Sequence, residues 1–282
     1  MRRRGPPGKA PRLPAPRRAR TLAPMETRTA AGPPGEPQGE APVEIERLLH
    51  ELWIGAGGLR REDLKKAREI AALLRALPAG PGRTVVDAAA GHGYVGLLHA
   101  HRSKAARLVL IERDAARAAR CQEAAARLSP PPPLELRVGE VGDAALWPEA
   151  PDLVVALHAC GAASDAIIDR AIAARARWLF LVPCCYARAV PFSAAAEARA
   201  EALGLPRQAP IRRRFVESMV DGERALRLEA AGYEVTLAQL VPPSVTPHNL
   251  LLRARRCGEP VRQAEAAERL RRLREPPAGA GP

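Results

Sequence analysis

Aromatic residues are scarce: three Trp, three Tyr and three Phe in 282 residues. Proteins that read single-stranded bases by stacking need aromatic platforms, and this chain has few to offer. It also lacks any apolar run of transmembrane length, and its N-terminus has no apolar signal core. No membrane partner is therefore expected. Cysteines number only five, an odd count with two adjacent, Cys184 and Cys185. That argues against a secreted disulfide framework and for a reducing, cytoplasmic setting.

Positive charge is in excess, at +13, but its distribution matters more than its sum. Residues 1–20 hold eight basic residues and no acid, and residues 253–282 hold eight basic residues against four acids. The body between these tails is close to neutral, so no overall excess advertises a phosphate-binding face, although a local basic cleft is compatible with it. Ten prolines within residues 1–42 oppose the amphipathic helix of an organellar transit peptide. Residues 1–42 read as a disordered basic, Pro-rich tail, or as an over-extended reading frame whose start is Met25.

Order is expected from about Val43. Residues 43–82 form an N-terminal helical segment, with Leu64, Ala67, Ala71, Leu74 and Leu77 at helical spacing. From Thr84 apolar strands alternate with helices: Thr84–Ala88, Arg107–Glu112, Leu134–Val138, Asp152–His158 and Trp178–Val182. Continuous apolar strands in such an alternation imply a parallel sheet covered on both faces. A helix over residues 217–231 precedes two strands, "YEVTLAQLV" and "NLLLRAR", close enough to pair antiparallel. The fold expected for residues 83–256 is therefore α/β and Rossmann-like. It is a class I methyltransferase sheet of seven mostly parallel strands ending in an antiparallel hairpin, with helices on both faces. Residues 257–282 form a basic, exposed C-terminal helix and tail.

The stretch "VVDAAAGHGYVGLL" contains Gly91-x-Gly93-x-x-Gly96, a match to the dinucleotide fingerprint that is weak alone. Glycines after a first strand let backbone approach a ligand closely, and the next helix offers free N–H groups. Asp87 ahead of the turn suits a ligand carrying an ammonium and a sulfonium and is awkward beside pyrophosphate. Glu112, 25 residues later at the end of the second strand, suits both ribose hydroxyls of either cofactor class. In "GEVGD", Glu140 is the first candidate for an adenine contact and Asp143 the second. The cofactor-binding set is thus Asp87, Ala89, Gly91, Gly93, Tyr94, Glu112 and Glu140, with S-adenosyl-L-methionine as cofactor; Gly96 is assigned to helix packing.

"LHACGAASD" (157–165) and "PCCY" (183–186) each follow an apolar strand at the edge where open α/β sheets bind ligands. If the two strands are neighbours, His158, Cys160, Gly161, Cys184, Cys185 and Tyr186 share one rim, the acceptor side. Four readings compete for the cysteines. His158 with three cysteines supplies a zinc ligand count, but neither H-x-C nor adjacent C-C has the usual zinc loop spacing, so no metal is assigned. A cysteine nucleophile, a shaped acceptor pocket and plain core packing are the others, and the pocket is preferred. His158 is the candidate catalytic base, because an unperturbed histidine titrates near working pH.

Taken together, "DAAAGHGYVG", "LHACG…SD", "PCCY" and "TPHNLLLRARR" resemble the methyltransferase-domain family of the tRNA acceptor-stem 2′-O-methyltransferases. Glutathione-transferase-C-terminal-domain proteins and several methyltransferase-like proteins belong to it too. The resemblance spans about Lys65 to Arg256 and includes "KKAREI" (65–70), similar to the family's Lys-Lys-x-His-Glu segment. Ala67 and Arg68 depart from that pattern, leaving no histidine before Glu69. The resemblance implies a donor site at Asp87, Gly91, Gly93 and Glu112, and an acceptor side at residues 158–161 and 184–186. It implies methyl transfer from S-adenosylmethionine to an acceptor the motifs do not name, with RNA among the candidates. No accessory zinc-finger segment like those of the tRNA enzymes is present. The alternatives are an NAD(P)-dependent oxidoreductase of Rossmann type and a non-catalytic methyltransferase-fold binding protein.

Overall fold

The computed structural model describes residues 42–55, 57–186 and 190–276. The tail expected over residues 1–42, Met25 included, lies outside them apart from Pro42, as does the end of the C-terminal tail. Seven strands form one sheet in the order β3-β2-β1-β4-β5-β7-β6. They are β1 (Thr84–Ala88), β2 (Arg107–Glu112), β3 (Leu134–Val138), β4 (Leu153–Ala159), β5 (Trp178–Pro183), β6 (Tyr233–Gln239) and β7 (Leu250–Arg256). The first five run parallel. β7 lies antiparallel between β5 and β6, as the closing hairpin requires. Successive strands move outward from β1 on one side and then resume at β4 on the other. The crevice above the carboxyl ends of β1 and β4 is therefore the topological switch point, where such sheets bind ligands.

The apolar strands are unbroken because alternate residues face opposite, equally buried layers. Val85, Leu108, Leu110, Leu153 and Val155 join one core with helices α2 (Arg61–Ala76), α3 (Tyr94–Ser103) and α4 (Ala115–Arg127). Val86, Val109, Ile111, Val154 and Ala156 join the other with α5 (Ala162–Ala173) and α7 (Ala209–Ala230). Helix α1 (Pro42–Leu49) sends Ile45 and Leu49 into the first core beside Ile70 and Leu73 of α2. The N-terminal helical segment thus packs in the same core as the sheet.

Two helical features differ from the sequence expectation. Helix α6 (Ser193–Ala202) buries only Ser193, Ala196 and Ala200, so it leaves no stripe of large apolar residues to read. Helix α7 starts at Ala209, with Pro210 in its first turn, not at residue 217; the run Arg212–Arg214 disguises its first turns. The C-terminal helix α8 (Pro260–Arg274) is mostly exposed as expected, yet it buries Ala266 and its Arg274 pairs with buried Glu223 of α7.

The glycine turn after β1 explains its own composition. Gly93, in the left-handed region at φ 71°, caps the N-terminus of α3. A Cβ on Gly96 would lie 2.7 Å from the Asp87 Cβ and 2.9 Å from Leu110 Cδ2. Only glycine allows α3 to sit this close to the sheet.

Candidate functional site

A cleft of ≈ 360 Å³ opens over the switch point. Six of the seven expected cofactor residues line it: Asp87, Ala89, Gly91, Tyr94, Glu112 and Glu140. Gly93 does not line it; the missing side chain there would point at Cys121, Leu97 and Leu110. Asp143 instead caps a short turn through the Ala145 N–H. Of the acceptor-side set, His158 and Cys160 reach the cleft, whereas Gly161, Cys184, Cys185 and Tyr186 stand outside its lining.

The cleft floor is acidic by construction. Asp87 is buried, and its Oδ2 accepts the Gly96 N–H at 2.8 Å. Burial raises its pKa to about 7, the Gly96 hydrogen bond opposes that rise, and the nearby Glu112 charge adds to it. Glu112 Oε2 accepts the Gly91 N–H at 2.7 Å and Oε1 accepts the Asp114 N–H at 3.0 Å. The same carboxylate therefore shapes the glycine turn and the start of the following loop. Tyr94 is held over the turn by Trp53, edge-on at 4.8 Å, and by His92, stacked at 5.3 Å. The Trp53 indole N–H donates to the His92 carbonyl, so the N-terminal segment fixes the near wall.

The far wall is built on strained backbone. The β4–β5 register shifts between Leu157 and Ala159, and His158 between them has φ 62°. A bulge of this kind turns a side chain out of the strand's alternation and is found beside functional sites. Here it aims His158 at helix α2, where its Nε2 meets Glu69 Oε1 at 2.8 Å. The other Glu69 oxygen meets Lys66 Nζ at 3.1 Å. Burial alone would raise the Glu69 pKa, but the His158 hydrogen bond and the Lys66 charge outweigh it and hold the group below its ordinary value. An ionised carboxylate only accepts, so Nε2 is the donor in this contact.

Lys66 and Glu69 were not singled out as site residues from the sequence. Their signal was present in "KKAREI", the segment tied to the family by resemblance, but a buried glutamate on an otherwise apolar helix face does not announce its partner 89 residues away.

Pairing of β4 with β5 brings the two motifs to one rim. Cys160 and Cys184 have their Sγ atoms 2.9 Å apart, and Cys185 Sγ lies 3.5 Å from both. Partial loss of solvent around the sulfurs is the main reason the Cys160 and Cys184 thiols are pushed up from their ordinary range. The neutral thiol is thereby favoured, which is unfavourable to a free thiolate nucleophile. Tyr186 anchors the end of this loop. Its hydroxyl donates to Asp221 Oδ2 at 2.8 Å, and fully buried Arg224 pairs with both Asp221 and Asp165, the last residue of "LHACGAASD". Both motif loops are thus tied to helix α7.

Residues 65–190 match the protein family described as a methyltransferase domain. The glutathione S-transferase C-terminal domain-containing protein of Xenopus laevis is 30% identical over 205 residues, covering 62% of this chain and 31% of that protein. Its Homo sapiens counterpart is 26% identical over 204 residues, covering 62% of this chain and 30% of that protein. The chain thus spans about a third of the length of these curated relatives. Among solved structures, the fibrillarin pre-rRNA processing protein of Methanococcus jannaschii superposes with a TM-score of 0.46 at 15% identity, over 69% of this chain and 75% of that one. A SAM-dependent methyltransferase from Aquifex aeolicus gives 0.44 at 14% identity, over 76% and 98%. Among the described residues, no helix is long and apolar enough to cross a membrane.

Proposed function

We propose that this chain, whose residues 65–190 belong to the methyltransferase-domain family, transfers a methyl group from S-adenosylmethionine to an acceptor bound at the His158 end of the cleft. S-adenosylmethionine is the donor such a domain uses, and the residues fit it. Asp87 and Glu112 bring two carboxyl groups to the cleft, matched to a cationic amino-acid moiety and to ribose hydroxyls, and opposed to a pyrophosphate. Each Glu112 oxygen has a second lone pair beyond the backbone N–H it already accepts. Gly139, Glu140 and Val141 line the adjoining wall and are the residues for the adenine edge. When bound, the donor supplies a methyl group already activated on a sulfonium.

The single observation that carries this reading is continuity: one cleft is lined by the carboxyl pair and by His158 and Cys160. The protein's work is then alignment and removal of a proton. Glu69 fixes the imidazole through Nε2, Lys66 steadies Glu69, and Nδ1 is the atom that receives the acceptor's proton. A hydroxyl acceptor gains most from such a base. RNA is one candidate acceptor, supported by the basic tails and weakened by the scarcity of aromatic platforms.

Labelled S-adenosylmethionine incubated with RNA, protein and metabolite fractions of a cell extract tests the reading. Wild-type protein should label one fraction. His158→Ala should lose about 10²–10⁴-fold in turnover while donor affinity stays within a few-fold. Donor binding with no labelled product in any fraction would identify a binding protein instead. Equal loss of affinity and turnover in His158→Ala would remove the histidine from the chemistry.

A further inference from the structure

The three thiols at the rim are the one cluster of soft ligands among the described residues. In the chain they are poorly spaced for a metal, with one residue alone and two adjacent. Strand pairing overrides that spacing: β4 delivers Cys160 and β5 delivers Cys184 and Cys185 to the same point, with Sγ separations of 2.9, 3.5 and 3.5 Å. Three sulfurs converge there while no apolar core cluster includes any of them, and Cys160 and Cys185 are exposed. Cysteines that merely packed would be buried, as Cys121 is.

We infer that Cys160, Cys184 and Cys185 form a three-thiolate site for a zinc-class cation whose fourth coordination position opens on the cleft. Zinc–thiolate bonds of about 2.3 Å in a tetrahedron require sulfurs about 3.8 Å apart. The cluster meets that requirement if its sulfurs separate by less than about 1 Å. Both neighbouring shells support the geometry. Tyr186, one residue beyond Cys185, is held by Asp221 under the Arg224 guanidinium, so the loop that carries two ligands is fixed from behind. Lys66 lines the same cleft as Cys160, a positive charge on the side of a site that carries one net negative charge when a divalent ion meets three thiolates. Binding releases the three thiol protons to solvent, and no oxidation or reduction is involved. Cys160 itself lines the cleft, so the site adjoins the acceptor end. Three protein ligands and one exchangeable position is the pattern of catalytic rather than structural zinc. Use of that position by an acceptor rests on the methyl-transfer reading; occupancy of the site does not.

The test uses full-length protein, reduced, freed of metal and kept without oxygen, titrated with Co²⁺ as an optical stand-in and then with Zn²⁺. One equivalent of Co²⁺ should give thiolate-to-metal charge transfer and the intense visible bands of a four-coordinate site, and one equivalent of Zn²⁺ should abolish them. The triple variant Cys160→Ser, Cys184→Ser, Cys185→Ser should lose the signal, each single variant should weaken binding by more than about tenfold, and Cys121→Ser with Cys257→Ser should keep it. A second reading needs no variant: Zn²⁺ should protect residues 160, 184 and 185 of the wild-type protein from alkylation, mapped by mass spectrometry, and leave Cys257 reactive. Absence of stoichiometric binding, retention of the signal in the triple variant, or equal alkylation with and without Zn²⁺ overturns the inference. None of these readouts involves the methyl donor, so failure here is distinguishable from failure of methyl transfer.

Discussion

The substitution Asp87→Asn offers a sharp test of how the cleft floor is built. Asp87 is buried at the cleft floor, and that burial raises its pKa from 3.8 to about 7. The folded protein therefore holds a proton that the unfolded chain gives up near pH 4. Stability is fully present below the unfolded value, falls as pH rises, and flattens above about 7. Each pKa unit is worth 1.36 kcal/mol, so the loss across this window is on the order of 4 kcal/mol. Asp87→Asn keeps the shape and an oxygen to accept the Gly96 N–H, but has no proton to lose. Urea unfolding of both proteins between about pH 3.5 and 8 should give curves that converge at the acid end and separate at the alkaline end. The variant should be the more stable at high pH. Asp221, raised to about 6 chiefly by burial, slopes in the same direction in both proteins and cancels in the difference. Equal pH slopes for the two proteins would refute the argument, because Asp87 would then be ionised in the folded state throughout.

Three further outcomes follow from the same contacts. Gly96→Ala inserts a methyl 2.7 Å from the Asp87 Cβ and should cost about 1–3 kcal/mol as overpacking; a denaturation midpoint equal to wild type would contradict the close approach. Glu69→Gln removes the charge that fixes His158 and should lower turnover by at least about tenfold with donor affinity unchanged; unchanged turnover would make the Glu69–His158 pair purely structural. Arg224→Met leaves Asp165 and Asp221 without their shared buried partner and should cost about 3–5 kcal/mol in unfolding free energy; a loss under about 1 kcal/mol would mean that the aspartates are solvated or protonated.

The sheet was legible because its strands are buried on both faces and alternate with helices, a pattern that periodicity and length expose together. The closing hairpin was legible from two apolar runs joined through Pro242 and Pro243. Helix α6 was not, since alanines bury an interface without any large apolar stripe. At the site, residues that line the cleft beside a local turn, such as Asp87 and Gly91, could be read from spacing after one strand. Glu69 could not: its meaning depends on a bulge at His158 and on the packing of α2 across the strand end, which spacing along the chain does not encode. The cysteine cluster shows the same limit from the other side. Its local spacing spoke against metal, and only strand pairing brings Cys160 to Cys184.

The most direct test of the central claim is calorimetric titration of the full chain with S-adenosylhomocysteine and, separately, with NAD(P), repeated with Glu112→Ala. S-adenosylhomocysteine should bind saturably, NAD(P) should not bind, and the variant should lose about 1.5–3 kcal/mol or more, the worth of hydrogen bonds to a charged group. Binding of NAD(P) alone, or S-adenosylhomocysteine affinity untouched by Glu112→Ala, would contradict it.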